Sequence, residues 1–197
     1  MLTEPYKFHS ALKGRGGVCQ SNDKVDRKKY KNEHIVCFQH DASNMDIPEE
    51  FWRADVIFTL IAWRAGYKKF TENTIAKNTS FAQYLLGIQN IIKALRVPSF
   101  IMCGKDILKT LQPHRVKEIY SEEYKENYLF AIWNYSKPIP LTSKELKMNL
   151  SKEYETVLDF SCGYGTIANQ FRKAILSDIN TGCIDYIIKT YGLKPSE

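Results

Sequence analysis

No stretch of this chain is long and apolar enough to cross a bilayer. The longest strongly apolar runs, Val56 to Ala62 and Pro98 to Cys103, are strand-sized, far short of the roughly 20 residues that a spanning helix needs. Met1 to Ser10 is polar and charged and lacks the apolar core of a signal peptide. The expectation is a cytoplasmic protein that does not engage a membrane. Cysteine is sparse as well. The five, Cys19, Cys37, Cys103, Cys162 and Cys183, form no C-x-x-C pair and no four-ligand Cys/His set of zinc-site form. That argues against a structural zinc site and gives no reason to expect another metal. An odd count without a secretion signal fits reduced thiols. The chain also has no internal repeat and no low-complexity tract, which excludes solenoids and fibrous folds.

What is present is a globular composition. The 197 residues are 44% hydrophobic and 25% charged, enough for one domain with a full core. The formal net charge is +6, and it is localised. Between Lys7 and Lys31 there are eight basic residues (Lys7, Lys13, Arg15, Lys24, Arg27, Lys28, Lys29, Lys31) and two acids (Asp23, Asp26). Such a basic segment, with Gly14, Gly16 and Gly17 in it, suits a phosphate backbone. A solvated leader has the same composition. Residues 1–33 therefore read as a basic N-terminal arm, and residues 34–197 as a single domain.

Strands and helices alternate along that domain. His34 to Asp41 reads as a short strand ending in an acid. Asp55 to Trp63 is a continuous apolar run, the pattern of a central parallel strand buried on both faces. From Asn78 to Leu95 the residues Phe81, Tyr84, Leu85, Ile88, Ile91, Ile92 and Leu95 recur at helical spacing. Pro98 to Cys103 is the next strand, and Lys105 to Leu111 a short helix stopped by Pro113. Tyr128 to Trp133 is a strand that pairs with another near His114 to Tyr120. Thr142-Ser-Lys-Glu145 has the form of a capping box, so a helix is expected from Ser143 to Leu150. A last helix covers Gly182 to Thr190. The fold class is α/β with a mainly parallel sheet.

The most informative segment is Val157-Leu-Asp-Phe-Ser-Cys-Gly-Tyr-Gly-Thr166. A short strand ends in Asp159. Two glycines follow at Gly-x-Gly spacing, and Thr166 opens an apolar, helix-like segment. Ala174-Ile-Leu-Ser-Asp178 is then a second strand ending in an acid. Glycines let backbone approach a ligand closely, and an acid at the next strand tip accepts ribose hydroxyl hydrogens. Cys162, inside the turn, reads as a small turn residue and not as a nucleophile. A pocket that usually opens such a domain here nearly closes it, so the chain order is permuted.

These residues resemble Rossmann-like S-adenosylmethionine-dependent methyltransferases, and more narrowly the circularly permuted DNA amino-methyltransferases. The 157–166 segment is similar to their cofactor signature, and Ser177-Asp-Ile-Asn180 to their ribose-binding strand end. Ser136-Lys-Pro138 resembles the Lys-Pro segment that precedes the signature in permuted members. His40-Asp-Ala42 resembles the acid that reads the cofactor's adenine amine, and Asp55 to Trp63 the catalytic strand. The resemblance implies S-adenosyl-L-methionine as cofactor. It places Asp159, Ser161, Cys162, Gly163, Gly165 and Thr166 at its methionine end, Asp178 and Ile179 at its ribose, and Asp41 with Ala42 at its adenine. Each acid has an alternative as a strand-end or capping residue, and Asp46 competes with Asp41. Permutation further implies that both termini lie between the Asp178 strand with its helix and the Asp41 strand.

One departure bears on chemistry. Amino-methyltransferases end the catalytic strand in a D/N/S-P-P-aromatic tetrad, whose polar groups accept hydrogen bonds from the target amine. The corresponding residues here are Leu60-Ile61-Ala62-Trp63, and only the aromatic remains. Trp63, with Arg64 and Tyr67 of the Arg64-to-Phe70 segment, is the expected catalytic group. Aromatics interleaved with basic residues suit base stacking and phosphate clamping, although a surface loop has the same pattern. Three readings stay open: a methyltransferase acting on nucleic acid, most simply DNA, through residues 7–31 and 64–70; a cofactor-using enzyme with a diverged reaction or acceptor; and a non-catalytic binding subunit. A partner subunit or a second copy suits a chain with no target-recognition insertion.

Overall fold

A computed structural model of the protein describes residues 27–61, 81–122 and 125–196. The expected catalytic residues Trp63, Arg64 and Tyr67, most of the basic segment 7–31 and all of 64–70 lie outside the described residues.

One nine-stranded sheet organises the chain. Its strands are β1 (Lys29–Lys31), β2 (Ile35–Gln39), β3 (Val56–Leu60), β4 (Ser99–Cys103), β5 (Arg115–Ser121), β6 (Glu126–Trp133), β7 (Thr156–Asp159), β8 (Lys173–Asp178) and β9 (Lys194–Pro195). In space they run β5-β6-β4-β3-β7-β8-β2-β1-β9. The five central strands, β4, β3, β7, β8 and β2, are parallel. β6 and β5 add antiparallel at one edge, and β1 and β9 at the other. Among the described residues four helices cover the sheet: α1 (Phe81–Leu95), α2 (Lys105–Leu111), α3 (Ser143–Glu153) and α4 (Thr181–Tyr191).

Successive strand residues point to opposite faces, so each central strand feeds two cores. Val56, Phe58, Phe100, Met102, Val157 and Leu176 pack with Leu146 and Leu150 of α3 and with Ile184 and Ile187 of α4. Ile57, Ile101, Leu158 and Ile175 pack on the other face with Leu85, Ile88 and Ile92 of α1 and with Ile107 and Leu111 of α2. The runs read from sequence as unbroken hydrophobic strands are therefore apolar for both layers. As expected, Thr142 caps α3, its hydroxyl oxygen accepting from the Glu145 N–H at 3.2 Å. Among the described residues, no helix is long and apolar enough to cross a membrane.

The structure departs from expectation at short elements. The segment after Gly165 is not a helix but a 3-10 turn, Thr166–Gln170, because β8 begins too soon after it for α-helical turns to accumulate. A second 3-10 turn, Glu49–Arg53, was not legible. Within the expected arm, β1, of alternating Lys and Tyr, is the last strand but one of the sheet, between β2 and the edge strand β9. Ser196 N–H donates to the Lys29 carbonyl at 2.8 Å, so the first and last described strands meet.

Lys29 fastens that edge. Its ammonium pairs with Glu50, which is 5% exposed, and with Glu49 at 3.4 Å. Lys29→Met is expected to leave Glu50 buried without its cation and to destabilise the fold by about 2 kcal/mol. Urea denaturation checks this; an unchanged midpoint would show that the edge folds without the pair.

Candidate functional site

Three acids stand at the C-terminal tips of three adjacent parallel strands. Asp159 ends β7, Asp178 ends β8, and Asp41 follows β2. Ligands bind α/β sheets in this crevice, outside the carboxyl ends of the strands.

Asp159 is 8% exposed. Its Oδ1 accepts from the Thr59 hydroxyl at 2.6 Å and from the Ser161 N–H at 3.2 Å. Burial pushes its carboxyl up to about 7, against the opposing pull of Thr59, the Ser161 N–H and Lys147. Between about pH 4 and about pH 7 the folded chain thus holds a proton that the unfolded chain has released, and stability falls as pH rises through that window. Asp159→Asn keeps an acceptor for Thr59 and removes the titration. We expect the wild type to lose stability relative to this variant across that window, by up to a few kcal/mol. Melting temperatures of the two proteins taken against pH would run parallel if Asp159 titrated normally.

The glycine turn is tied to the next strand. Gly163 N–H donates to Asp178 Oδ2 at 2.9 Å, and Asn180 N–H donates to Oδ1 at 2.9 Å. Asn180 in turn caps α4 by accepting from the Gly182 N–H at 2.9 Å. Gly163 takes a φ of +50°, and a Cβ built there would meet nothing within 4 Å. Its backbone therefore faces open space, the condition under which a ligand can lie against it. Gly165, at φ +71°, is different: a Cβ there would press on Ile187 and Leu176 at 3.1 Å. Its role is to let the turn pack on α4, and its carbonyl accepts from the Tyr191 hydroxyl at 3.2 Å.

Two cavities open along this edge of the sheet. One, of about 220 Å³, is lined by Asp159, Ser161, Cys162, Gly163, Tyr164 and Thr166, by Ser143 and Lys147 of α3, and by Leu60 and Met102 at the tips of β3 and β4. The Lys147 ammonium stands 5.7 Å from the centroid of the Phe58 ring in the same wall. The other, of about 470 Å³, is lined by Asp41, Ile179, Gln39, His40, Thr181 and Asp185, with Arg27, Lys28 and Tyr30 closing it. Asp178 stands between them through its bond to Gly163. Of the expected cofactor-binding residues along the strip of the sheet's C-terminal edge from Thr166 to Asp41, Asp159, Ser161, Cys162, Gly163 and Thr166 line the smaller cavity and Asp41 and Ile179 the larger, whereas Gly165, Asp178 and Ala42 line neither.

Asp41 also caps a 3-10 turn, Ala42–Asn44, accepting from the Ser43 N–H at 2.9 Å and from its hydroxyl at 2.7 Å. The competitor Asp46 is occupied with Arg27 instead. Ala42 is buried beneath this turn, against Gly87 of α1. His40 stacks edge-to-face on Phe51 at 5.2 Å. Burial and the nearby Arg27 lower its pKa to about 4, so the imidazole is neutral. Burial and the neighbouring carboxylates hold the Cys162 thiol well above its ordinary value, which leaves it an inert turn residue.

Sequence reasoning missed three residues here. Thr59 is the lone polar residue in the Val56-to-Ala62 run, and that was a readable signal. Lys147 and Gly87 carried none, since each is an ordinary residue within a helix.

No protein-family model matches the chain, and no curated protein sequence matches it. Solved structures do. Over 81% of this chain and 100% of the other, the fold matches the crystal structure of M1.HpyAVI with a TM-score of 0.51 at 15% sequence identity. The chain has the Rossmann-like methyltransferase fold. A crystal structure of the M1.HpyAVI-SAM complex matches over 79% of this chain and 98% of that one, with a TM-score of 0.49 at 16% identity. In the methyltransferase fold the strip from Thr166 to Asp41 lies along the carboxyl edge of the parallel strands.

Proposed function

We propose that the chain is an S-adenosylmethionine-dependent methyltransferase acting on nucleic acid. The observation that carries this is the Gly163–Asp178 link: an open, positive-φ glycine bonded to the acid of the next strand, with Asp159 and Asp41 on either side. M1.HpyAVI, which shares the fold, forms a complex with SAM. The residues here fit such a group. Asp178 keeps acceptor capacity for a ribose diol beyond its two backbone donors, since each carboxylate oxygen takes more than one hydrogen bond. Asp159 offers a carboxyl acceptor to the ammonium of a zwitterionic amino-acid end, and Lys147 a positive charge to its carboxylate. Ile179 and Asp41 offer an apolar surface and an acceptor to an adenine.

When bound, the cofactor supplies an electrophilic methyl group. The chain's own part would be to hold the cofactor through Asp159, Asp178 and Asp41 and to keep water from the smaller cavity, which the tips of β3 and β4 help to line. Trp63, Arg64 and Tyr67 follow β3 in sequence, and we assign them to the acceptor. The basic segment Lys7 to Lys31 supports a polyanionic acceptor. We further read the chain order as a circular permutation of the methyltransferase domain. The glycine-turn strand β7 lies at the centre of the sheet although it comes late in the chain, and the first and last described strands pair at one edge.

A second reading retains the cofactor but moves the chemistry away from base amines. It is favoured by Leu60, which lines the smaller cavity, and by Ile61, which is 1% exposed in the opposite core. Neither side chain offers an acceptor to an amine. Incubation with methyl-labelled S-adenosylmethionine and DNA or RNA separates the two. Label incorporated into polynucleotide supports the first; cofactor turnover without labelled polynucleotide supports the second.

A further inference from the structure

Two large aromatic side chains stand exposed together at the rim of the site. Tyr164 is 63% exposed and Tyr186 is 50% exposed. Their ring centroids are 5.0 Å apart and their planes meet at 70°. Tyr164 sits between two positive-φ glycines, Gly163 and Gly165, so it projects from the outermost point of the turn, and it lines the smaller cavity. Tyr186 belongs to α4, whose packing face is taken by Ile184 and Ile187. An edge-to-face pair holds ring orientation while leaving an aromatic face open. Two tyrosines that served only to pack would sit against the core and not against each other in solvent.

The surroundings identify a partner. Beyond the tyrosines, the first turns of α4 contribute Thr181 and Asp185 to the larger cavity, opposite Arg27 and Lys28. Both belong to the basic segment that carries the chain's net charge, Arg27 paired with Asp46 and Lys28 beside it. From the small cavity outward, the surface thus passes from reaction crevice to aromatic pair to helix to basic strand. Stacking surfaces beside a cationic track are how proteins hold unpaired bases.

We propose that Tyr164 and Tyr186 form a stacking platform for an unpaired base of a single-stranded polynucleotide whose phosphates run toward Lys28. This rests on the nucleic-acid reading given above and adds to it the strandedness of the acceptor and the face on which it lies. Tyr186→Ala suits a test, because the position is exposed and alanine favours helix.

Fluorescence anisotropy with a labelled oligothymidylate reads the platform. Tyr164→Ala and Tyr186→Ala each weaken binding about tenfold or more, and Tyr186→Phe retains it. Lys28→Ala instead reduces the salt dependence, by about one in the log–log slope. Calorimetry with S-adenosylmethionine runs beside it and is unchanged in Tyr186→Ala, which lines neither cavity. Wild-type affinity in both tyrosine variants, or tighter binding of duplex than of single strand, overturns the platform. If the wild type binds S-adenosylmethionine but not the oligonucleotide, the platform falls and the cofactor reading stands. If the oligonucleotide binds through the tyrosines and S-adenosylmethionine does not bind, the platform stands and the cofactor reading falls.

Discussion

Gly87→Ala is expected to lower the melting temperature by roughly 10 °C, corresponding to about 3 kcal/mol. Gly87 lies in the middle of α1, where a methyl group is normally favourable. Here the 3-10 turn Ala42–Asn44 lies directly on the helix, and an added Cβ would overlap the carbonyl oxygen and carbon of Ala42. Backbone cannot rotate away as a side-chain end can, so the helix and the turn must separate. The same displacement moves Asp41, which is bonded into that turn. Loss of stability is thus expected to come with weaker binding of any ligand in the larger cavity. Thermal denaturation checks the first part. A variant as stable as the wild type would mean that the turn does not lie on α1 at this position.

Asp178→Ala has the largest expected effect on ligand binding. The carboxylate makes two backbone bonds at once, to Gly163 and Asn180, so it orders the glycine turn and the start of α4 together. It is also the group assigned to the ribose diol. Hydrogen bonds to a charged acceptor contribute about 1.5–3 kcal/mol each. Losing two to a ligand corresponds to a loss of affinity on the order of a hundredfold or more. Asp178→Asn should fall between the two, because its single oxygen can accept from only one of the two backbone donors while its amide offers hydrogens to groups that are themselves donors. Equal affinity in the alanine variant would remove Asp178 from the site.

The parts of the fold that were legible in the sequence depend on local pattern. The apolar runs that became β3 and β4, the periodic segment that became α1 and the Thr142 cap each announce themselves within a few residues. The glycine turn was legible for the same reason, since two positive-φ positions next to a strand-end acid occupy adjacent places in the chain. The rest depends on contacts between distant segments. The Thr59–Asp159 bond joins residues 100 apart, and nothing near either one names the other. The clash that makes Gly87 a glycine lies in a turn beyond β2. β1 and β9 are strands because they pair at an edge: Lys29-Tyr30-Lys31 and Lys194-Pro195 have little strand propensity of their own, and a proline is tolerated there because an edge strand need not donate on both sides. The 3-10 turn after Gly165 reads as a helix in the sequence because its apolar residues have helical spacing for one turn, and one turn is all there is room for.

Calorimetric titration of S-adenosylmethionine into the wild type and into Asp178→Ala tests the central claim most directly. Saturable binding to the wild type at a single site, lost in a variant that circular dichroism shows to be folded, is the predicted result. No heat of binding to a folded wild-type protein would contradict the account and leave the methyltransferase fold without its cofactor.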